Sequence, residues 1–346
     1  MSEPQSPNNQ SPQEMLLGIA LGYMLARAVH VAAEMGIADL LSDGPKRVEE
    51  LAQATGARSQ SLYRLLRALA GNGIFAEDSS GRFELTPAAA WLRSGIPGSL
   101  RDAVRLAGDI TGEGKWWNMW GDLQRCVTTG DPEWDRVYET DFYTHLAGAP
   151  EANRWWSRGV ASFATAEVGP IVDSYDFSPF KRIVDVGGGR GGLLAEILKR
   201  NPNAKGVLYD HPLIVKEPEY LAAAGVLDRC ELIGGNFLQS VPAGADAYIS
   251  KRILMDWDDE DCVKLLRLCR DAMTKDGRVL TVIAVLPPGN QLHPGKLVDL
   301  FMMIQLKGRE RTAEEFSDLY QRAGLKLTRI VHNPSMLSIV EGERAD

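Results

Sequence analysis

The sequence is poor in thiols, poor in histidine and lacks any excess of positive charge. It has four cysteines and five histidines in 346 residues, with 38 basic against 46 acidic side chains. Cys126, Cys230, Cys262 and Cys269 form no C-x-x-C pair and no disulfide framework, so free thiols in a reducing compartment are expected. His30, His145, His211, His293 and His332 make no H-x-x-x-H or H-E-x-x-H pair, and no metal site is expected. The net charge of −8 and pI near 5.3 argue against nucleic acid or an anionic membrane as the main partner. The apolar run from Met15 to Ala33 lacks a basic leader and a small-residue cleavage site, and Tyr23, Arg27 and His30 interrupt it. It is expected to be a buried, interface-forming helix of a soluble, cytoplasmic protein.

What is present is ordinary globular composition, 45% apolar and 24% charged, over a length that suits two domains. Residues 1–14 are polar and proline-rich and are expected to be a disordered tail. Residues 15–100 combine two helices around Thr55-Gly56-Ala57 with two short strands around a Ser-Ser-Gly turn, a winged-helix order. A DNA-binding reading would use Arg58, Arg64 and Arg67, but Glu49, Glu50, Glu77, Asp78 and Glu84 crowd the same segment, and dimerisation is favoured. Residues 101–180 are a helical, aromatic segment with six of the eight tryptophans, which suits both helix packing and the wall of a flat apolar ligand site.

From 181 to 346 strands and helices alternate, the pattern of a parallel α/β sheet. Strands are expected at 182–186, 205–209, 230–233, 246–249 and 278–285, with helices at about 191–200, 212–224 and 258–274. Segments 325–332 and 335–341 read as a closing antiparallel pair. A parallel sheet that ends in a reversed hairpin points to a class I methyltransferase sheet, Rossmann-like but distinct from the all-parallel dinucleotide fold.

The chemical signal is Val184-Asp185-Val186-Gly187-Gly188-Gly189-Arg190-Gly191-Gly192, a strand running into a glycine-packed turn. Gly187, Gly189 and Gly192 also satisfy G-x-G-x-x-G, which alone would suggest a dinucleotide. Three features shift the balance to S-adenosylmethionine. Asp185 can engage a cationic amino-acid end, Asp210 at the end of the second strand can accept both ribose hydroxyls, and Asn236-Phe237 after the third strand can meet an adenine.

The motifs VDVGGGRGG (184–192), YDHPLIV (209–215), GGNFLQSVP (234–242), SKRILMDWDDED (250–261), the Asp299 region and GRERTAEEFSDLYQRAGL (308–325) together resemble the caffeate/hydroxyindole-type O-methyltransferases, including their bacterial natural-product branch, over nearly the whole chain. The resemblance implies a winged-helix dimerisation domain, a homodimer, S-adenosylmethionine as cofactor with S-adenosylhomocysteine as product, and a flat, often aromatic acceptor. It implies cofactor contacts from Asp185, Gly187, Gly189, Gly191, Asp210, His211, Asn236, Phe237, Lys251 and Arg154, and an acceptor pocket drawing on Trp116, Phe142, Met255, Asp299, Met302 and Met303. Two departures stand out. The family's usual catalytic histidine is Met255 here, and an acid that orients it is Ile283, whereas a second family acid is retained as Glu310. Tyr143, Asp256 and Glu310 remain as candidate catalytic groups. Methyl transfer by proximity and orientation, to oxygen or nitrogen, is therefore expected. The alternative is a cofactor-binding enzyme of the same fold that carries out a hydroxylation, decarboxylation or cyclisation.

Overall fold

The structure is a computed structural model that describes residues 11–345. The expected tail lies outside the described residues as far as residue 10. Its last part is corrected, because helix α1 (Pro12–Glu34) starts at a capping box in which Ser11 accepts from the Glu14 N–H and Glu14 accepts from the Ser11 N–H.

The chain divides into two compact units, residues up to Trp117 with Ala149–Phe163, and Asn118–Gly148 with the residues from Ala164 onward. In the first, α2 (Val48–Thr55) and α3 (Ser59–Ala70) join through Gly56, which ends α2 at φ 71°. Strands β1 (Lys46–Arg47), β2 (Phe75–Glu77) and β3 (Arg82–Leu85) form an antiparallel sheet of order β1-β3-β2. Leu62, Leu66 and Leu69 form the buried stripe of α3 against Phe75 and Phe83. The helix–turn–helix and hairpin therefore stand where the sequence puts them. Helix α1 differs from expectation: only His30, Ala32 and Ala33, near its C-terminal end, are buried. Met15, Leu16, Leu17, Ile19, Leu21, Tyr23 and Met24 are exposed. By length and composition alone α1 could cross a membrane.

The second unit carries α5 (Glu133–Tyr138) and α6 (Phe142–Gly148), following α4 (Arg101–Gly108) of the first, and then α7 (Pro150–Ser174), of which Ala164–Ser174 belong to it. Its sheet contains β4 (Arg182–Val186), β5 (Lys205–Asp210), β6 (Cys230–Gly234), β7 (Ala247–Lys251) and β8 (Arg278–Ile283). A two-residue strand, β9 (Val285–Leu286), pairs with β10 (Arg311–Thr312), and β11 (Leu325–His332) and β12 (Ser338–Arg344) complete the set. Helices α8 (Gly192–Arg200), α9 (Asp259–Ala272), α10 (Gly295–Gln305) and α11 (Ala313–Arg322) accompany them.

The sheet order is β11-β12-β8-β7-β4-β5-β6, with β12 antiparallel to both neighbours and the pairs from β8 to β6 parallel. The central strands are buried on both faces. Val184, Val186, Val207 and Tyr209 pack to one side with residues of α9 and α11, and Ile183, Leu208, Ala247 and Ile249 to the other with α8. Each such fully buried aliphatic side chain contributes about 1.5–3 kcal/mol. The chain runs outward from β4 to β6 and returns to β7 on β4's other side. The order reverses there, and the loops at the strands' carboxyl ends open a crevice.

Three expected boundaries move most, and the first is the strand expected over 278–285, which ends at Ile283 while Val285–Leu286 pairs separately with β10. The helix expected over 212–224 shrinks to Glu219–Ala223, because Pro212 and Pro218 cannot donate and bias the residues before them away from helix. The last strand starts at Ser338 instead of 335. All four cysteines are free thiols.

Candidate functional site

The crevice at the carboxyl ends of β4, β5, β6 and β7 gathers most of the residues that the sequence singles out. Gly187, Gly189 and Gly191 all take the left-handed conformation, with φ of 68°, 58° and 84°. At Gly189 that turn aims the N–H at Asp210 Oδ2, 2.8 Å away, and a Cβ there would meet no heavy atom within 4 Å. The space over this turn is therefore open to a ligand. Gly188 is tight for the opposite reason, since a Cβ would lie 2.6 Å from the Asp185 carboxyl carbon.

The two acids differ in their environments. Asp210 accepts from the Gly189 N–H and, through Oδ1, from the His211 N–H at 2.6 Å; burial still raises its pKa against those bonds. Asp185 is 1% exposed, and neither carboxylate oxygen has a partner among the described residues. Burial first and the Asp210 charge second push it up to about 7, with the Lys251 ammonium opposing. A buried carboxylate with two unpaired oxygens beside an open glycine turn is a site made for a donor group, such as an ammonium.

Beyond β7 the chain makes a tight, charged turn. Lys251 Nζ donates to Glu167 Oε2 at 3.1 Å, and Arg252 pairs with both Glu167 oxygens. Burial alone would raise Glu167, but the Arg252 and Lys251 charges hold its pKa below the ordinary glutamate value. Arg252 takes φ 58°, a strained conformation for a residue with a Cβ that costs on the order of 1–3 kcal/mol. The bidentate pair with Glu167 holds it there.

Met255 and Asp256 follow in a 3-10 turn, Leu254–Asp256. Arg311, fully buried, clamps that turn by donating to Leu254 O at 2.8 Å and Trp257 O at 2.9 Å, and to Asp259. Met255 is buried, its sulfur 4.0 Å from Arg252 Nη1, and Ile283 is fully buried in β8. Asp258, accepting from the Asp261 N–H, caps α9. Asp256 is thereby free of capping and instead accepts from the Tyr143 hydroxyl at 2.5 Å. Burial raises Asp256 to about 7, against the Tyr143 hydrogen bond and the Arg252 charge, and burial with Asp256's charge raises Tyr143 well above the ordinary phenol value. Trp257 stacks on Tyr143 at 5.9 Å and meets Phe237 edge-on at 6.0 Å, so one aromatic row links the loop after β6 to α6.

The remaining expected residues are spread more widely. Asn236 is exposed, and its Oδ1 accepts from the Leu238 N–H at 2.9 Å. The exposed His211 turns Nδ1 to the Leu213 N–H at 3.3 Å. Phe142 is buried against Trp134. On α10, Met302 is buried in the core, Met303 is half-buried, and Asp299 Oδ1 accepts from the Glu310 N–H at 2.8 Å. Glu310 is buried with both oxygens unpaired among the described residues; burial raises it to about 8. Trp116 and Arg154 belong to the first unit. Trp116 is fully buried there, and Arg154 is exposed beside Glu151 at 3.8 Å. Sequence reasoning missed Glu167, Arg252 and Arg311. Their partners lie 52–85 positions away, and only the Arg-Glu-Arg run at 309–311 marked one of them. Among the described residues no group of three histidine, cysteine, aspartate or glutamate side chains is placed to hold a metal ion.

Comparison with known proteins agrees with this geometry. The O-methyltransferase domain family matches residues 120–326, and the O-methyltransferase dimerisation domain family matches residues 17–95. The phenazine O-methyltransferase PhzM of Lysobacter antibioticus is 42% identical over 328 residues, 94% of this chain and 95% of that protein. The phenazine-1-carboxylate N-methyltransferase of Pseudomonas aeruginosa is 31% identical over 341 residues, 98% of this chain and 99% of that one. The solved structure of NcsB1, an O-methyltransferase from neocarzinostatin biosynthesis in complex with S-adenosylmethionine and 2-hydroxy-5-methyl naphthoic acid, superposes with a TM-score of 0.80 at 29% identity, covering 97% of this chain and 99% of that chain.

Proposed function

The chain belongs to the O-methyltransferase family, and from that premise we propose that it transfers a methyl group from S-adenosylmethionine to an oxygen or nitrogen of a small aromatic natural product, without a histidine base. It is an S-adenosylmethionine-dependent methyltransferase, and the relatives described above are all methyltransferases. The observation that carries the reading is the pair Asp185 and Asp210 about the glycine turn, open at Gly189, at the point where the strand order reverses. Asp185 would face the cofactor's ammonium, Asp210 its ribose, and Asn236 with Phe237 its adenine. Lys251 and His211 would complete the set. When bound, the cofactor supplies a methyl carbon activated by a sulfonium.

The protein's own part is placement. Tyr143, held by Asp256, would hydrogen-bond the acceptor, while Phe142, Met255, Asp299, Met302 and Met303 would wall it. Glu310 would take part beside them as a buried acid. No imidazole stands at 255 and no carboxylate at 283, so the acceptor's own acidity and an in-line approach must supply what a base would. The exposed apolar half of α1, within the dimerisation domain, would pair with a second copy. The acidic balance suits a soluble cytoplasmic enzyme with no nucleic-acid or membrane partner.

Two results test the reading. Met255→His will leave kcat for an acidic phenol within about threefold of the parent. The imidazole would sit beside the Arg252 guanidinium, which opposes its protonation, with an isoleucine where an orienting acid is needed. A gain of 30-fold or more, beyond what an order-of-magnitude effect of general-base catalysis allows to be ignored, would refute base-free transfer. The second concerns pH. Asp185 sits near 7 in the free protein, and a cationic partner needs it ionised. Affinity for S-adenosylmethionine will therefore rise as pH climbs through about 7, and fall by up to about tenfold per unit below it. Calorimetry in buffers of different ionisation enthalpy reads the accompanying proton release; no release at pH 6 would remove Asp185 from the ammonium site.

A further inference from the structure

Arg190 stands at the tip of the glycine turn, between the left-handed Gly189 and Gly191, where the Gly191 N–H closes on Gly188 O at 2.9 Å. Its side chain leaves the turn and grips two carboxylates of one segment. Nη1 donates to Glu219 Oε2 and Nη2 to Glu217 Oε2, each at 2.9 Å. The two glutamates flank Pro218, whose φ of −82° and ψ of 52°, with a Glu219 N–H bond to Glu217 O at 2.9 Å, make an inverse γ-turn. The proline ring fixes φ there. One planar guanidinium therefore meets two carboxylates carried on a stiff backbone.

These pairs do little for the fold. The Arg190 side chain is 21% exposed and those of Glu217 and Glu219 are 60% and 61% exposed, and ion pairs so wet contribute little to stability. The segment is packed by Val215 and Leu221, both buried in the core, and Leu221 lies 2.8 Å from where a Cβ on Gly191 would stand. What the pairs do is close a loop. At one end of the segment the Asp210 carboxylate takes the Gly189 N–H. At the other, Glu217 and Glu219 are tied to Arg190 of the same turn. Residues 211–216 are thus fastened to the glycine turn at both ends.

We propose that Arg190 is a positioning residue, an ionic latch that holds segment 210–219 against the glycine turn and so sets how long the cofactor stays bound. This rests on the reading that places the cofactor over that turn with its ribose on Asp210. Arg190 acts through the segment, since both of its terminal nitrogens are committed to the glutamates. With the latch open, the segment is free to swing about Asp210, and the carboxylate that receives the ribose loses part of its aim.

The test is S-adenosylhomocysteine binding to the full chain, by calorimetry and stopped flow. Arg190→Met keeps an apolar stem and removes the fork. It will weaken binding about fivefold, through faster dissociation with association within about twofold of the parent. In about 0.5 M salt the gap to the parent will narrow to about twofold, because exposed charges are screened. Arg190→Lys, a point charge without the fork, will recover part of the loss. Glu217→Gln with Glu219→Gln will reproduce the Arg190→Met affinity, and adding Arg190→Met to that pair will change nothing further. The melting temperature of the cofactor-free protein will move by no more than about 2 °C in any of them. Affinity equal to the parent's in Arg190→Met, a gap equally wide in high salt, or losses that add in the combined variant would overturn the latch. So would a melting temperature lowered by several degrees, which would make the pairs a support of the fold. Asp210→Ala in the same assay keeps the two readings apart. A loss there with none in Arg190→Met strikes the latch alone, and no loss in either strikes the cofactor site as well.

Discussion

Asp210→Ala will weaken S-adenosylhomocysteine binding by about 100-fold or more while shifting the melting temperature by only a few degrees. Asp210 spends one lone pair on the Gly189 N–H and one on the His211 N–H, leaving acceptor capacity on both oxygens at the mouth of the glycine turn. Two ribose hydroxyls fit that capacity. A hydrogen bond to a charged group contributes about 1.5–3 kcal/mol, so two lost together exceed the roughly 2.7 kcal/mol that a 100-fold change needs. Stability changes little because the loss of the Gly189 tether is offset by relief of a desolvated charge, seen in the raised pKa. Asp210→Asn will fall between the two, keeping one acceptor oxygen without the charge. Affinity unchanged in Asp210→Ala by calorimetry would move the ribose elsewhere.

Glu167→Leu will destabilise the second unit by about 3–5 kcal/mol, the cost of leaving buried charge without its partner. Glu167 is 7% exposed and is paired with both Lys251 and Arg252; without it two cations face each other in a site too dry to screen them. The loss also frees Arg252 from the agent that holds its left-handed backbone. Adding Lys251→Met to Glu167→Leu will recover part of the stability, because one orphaned charge is gone. The sign with pH follows from Glu167's lowered pKa: its contribution is present above the ordinary glutamate range and fades as pH falls below it. Urea denaturation reads all of this. A loss below about 1 kcal/mol would be that of a solvated surface pair and would deprive the turn after β7 of its anchor.

Much of the fold was legible because its central strands are short runs of branched apolar residues between turns. Strands 182–186 and 325–332 appear at the expected residues. The closing hairpin set the sheet apart from a dinucleotide fold, and β12 does insert antiparallel between β11 and β8. Helix 212–224 was overread because apolar spacing outweighed two prolines whose missing N–H groups leave turns instead. The glycine turn and its two acids were visible because local spacing sets them. The methionine at 255 and the isoleucine at 283 stand out only against the family resemblance, which implies a histidine and an acid there. What stayed hidden was pairing across distance. Nothing near Glu167 in sequence marks it as the partner of Lys251 and Arg252, and nothing near Asp256 shows that Asp258 takes the capping role and leaves it to Tyr143. Buried charges find their partners through topology, and Arg311, which holds the backbone on either side of Met255 and Asp256, is legible only once α9 and β10 are in place.

The most direct measurement is transfer itself. The full chain, S-adenosylmethionine bearing a deuterated methyl group, and a series of hydroxyaryl and nitrogen-heterocyclic acceptors of graded acidity are incubated and read by mass spectrometry. Transfer of the intact deuterated methyl group, one S-adenosylhomocysteine formed per product, and turnover that rises as the phenol becomes more acidic are the predicted results. Product lacking the label, or S-adenosylmethionine recovered unchanged while the acceptor is altered, would contradict methyl transfer by placement alone.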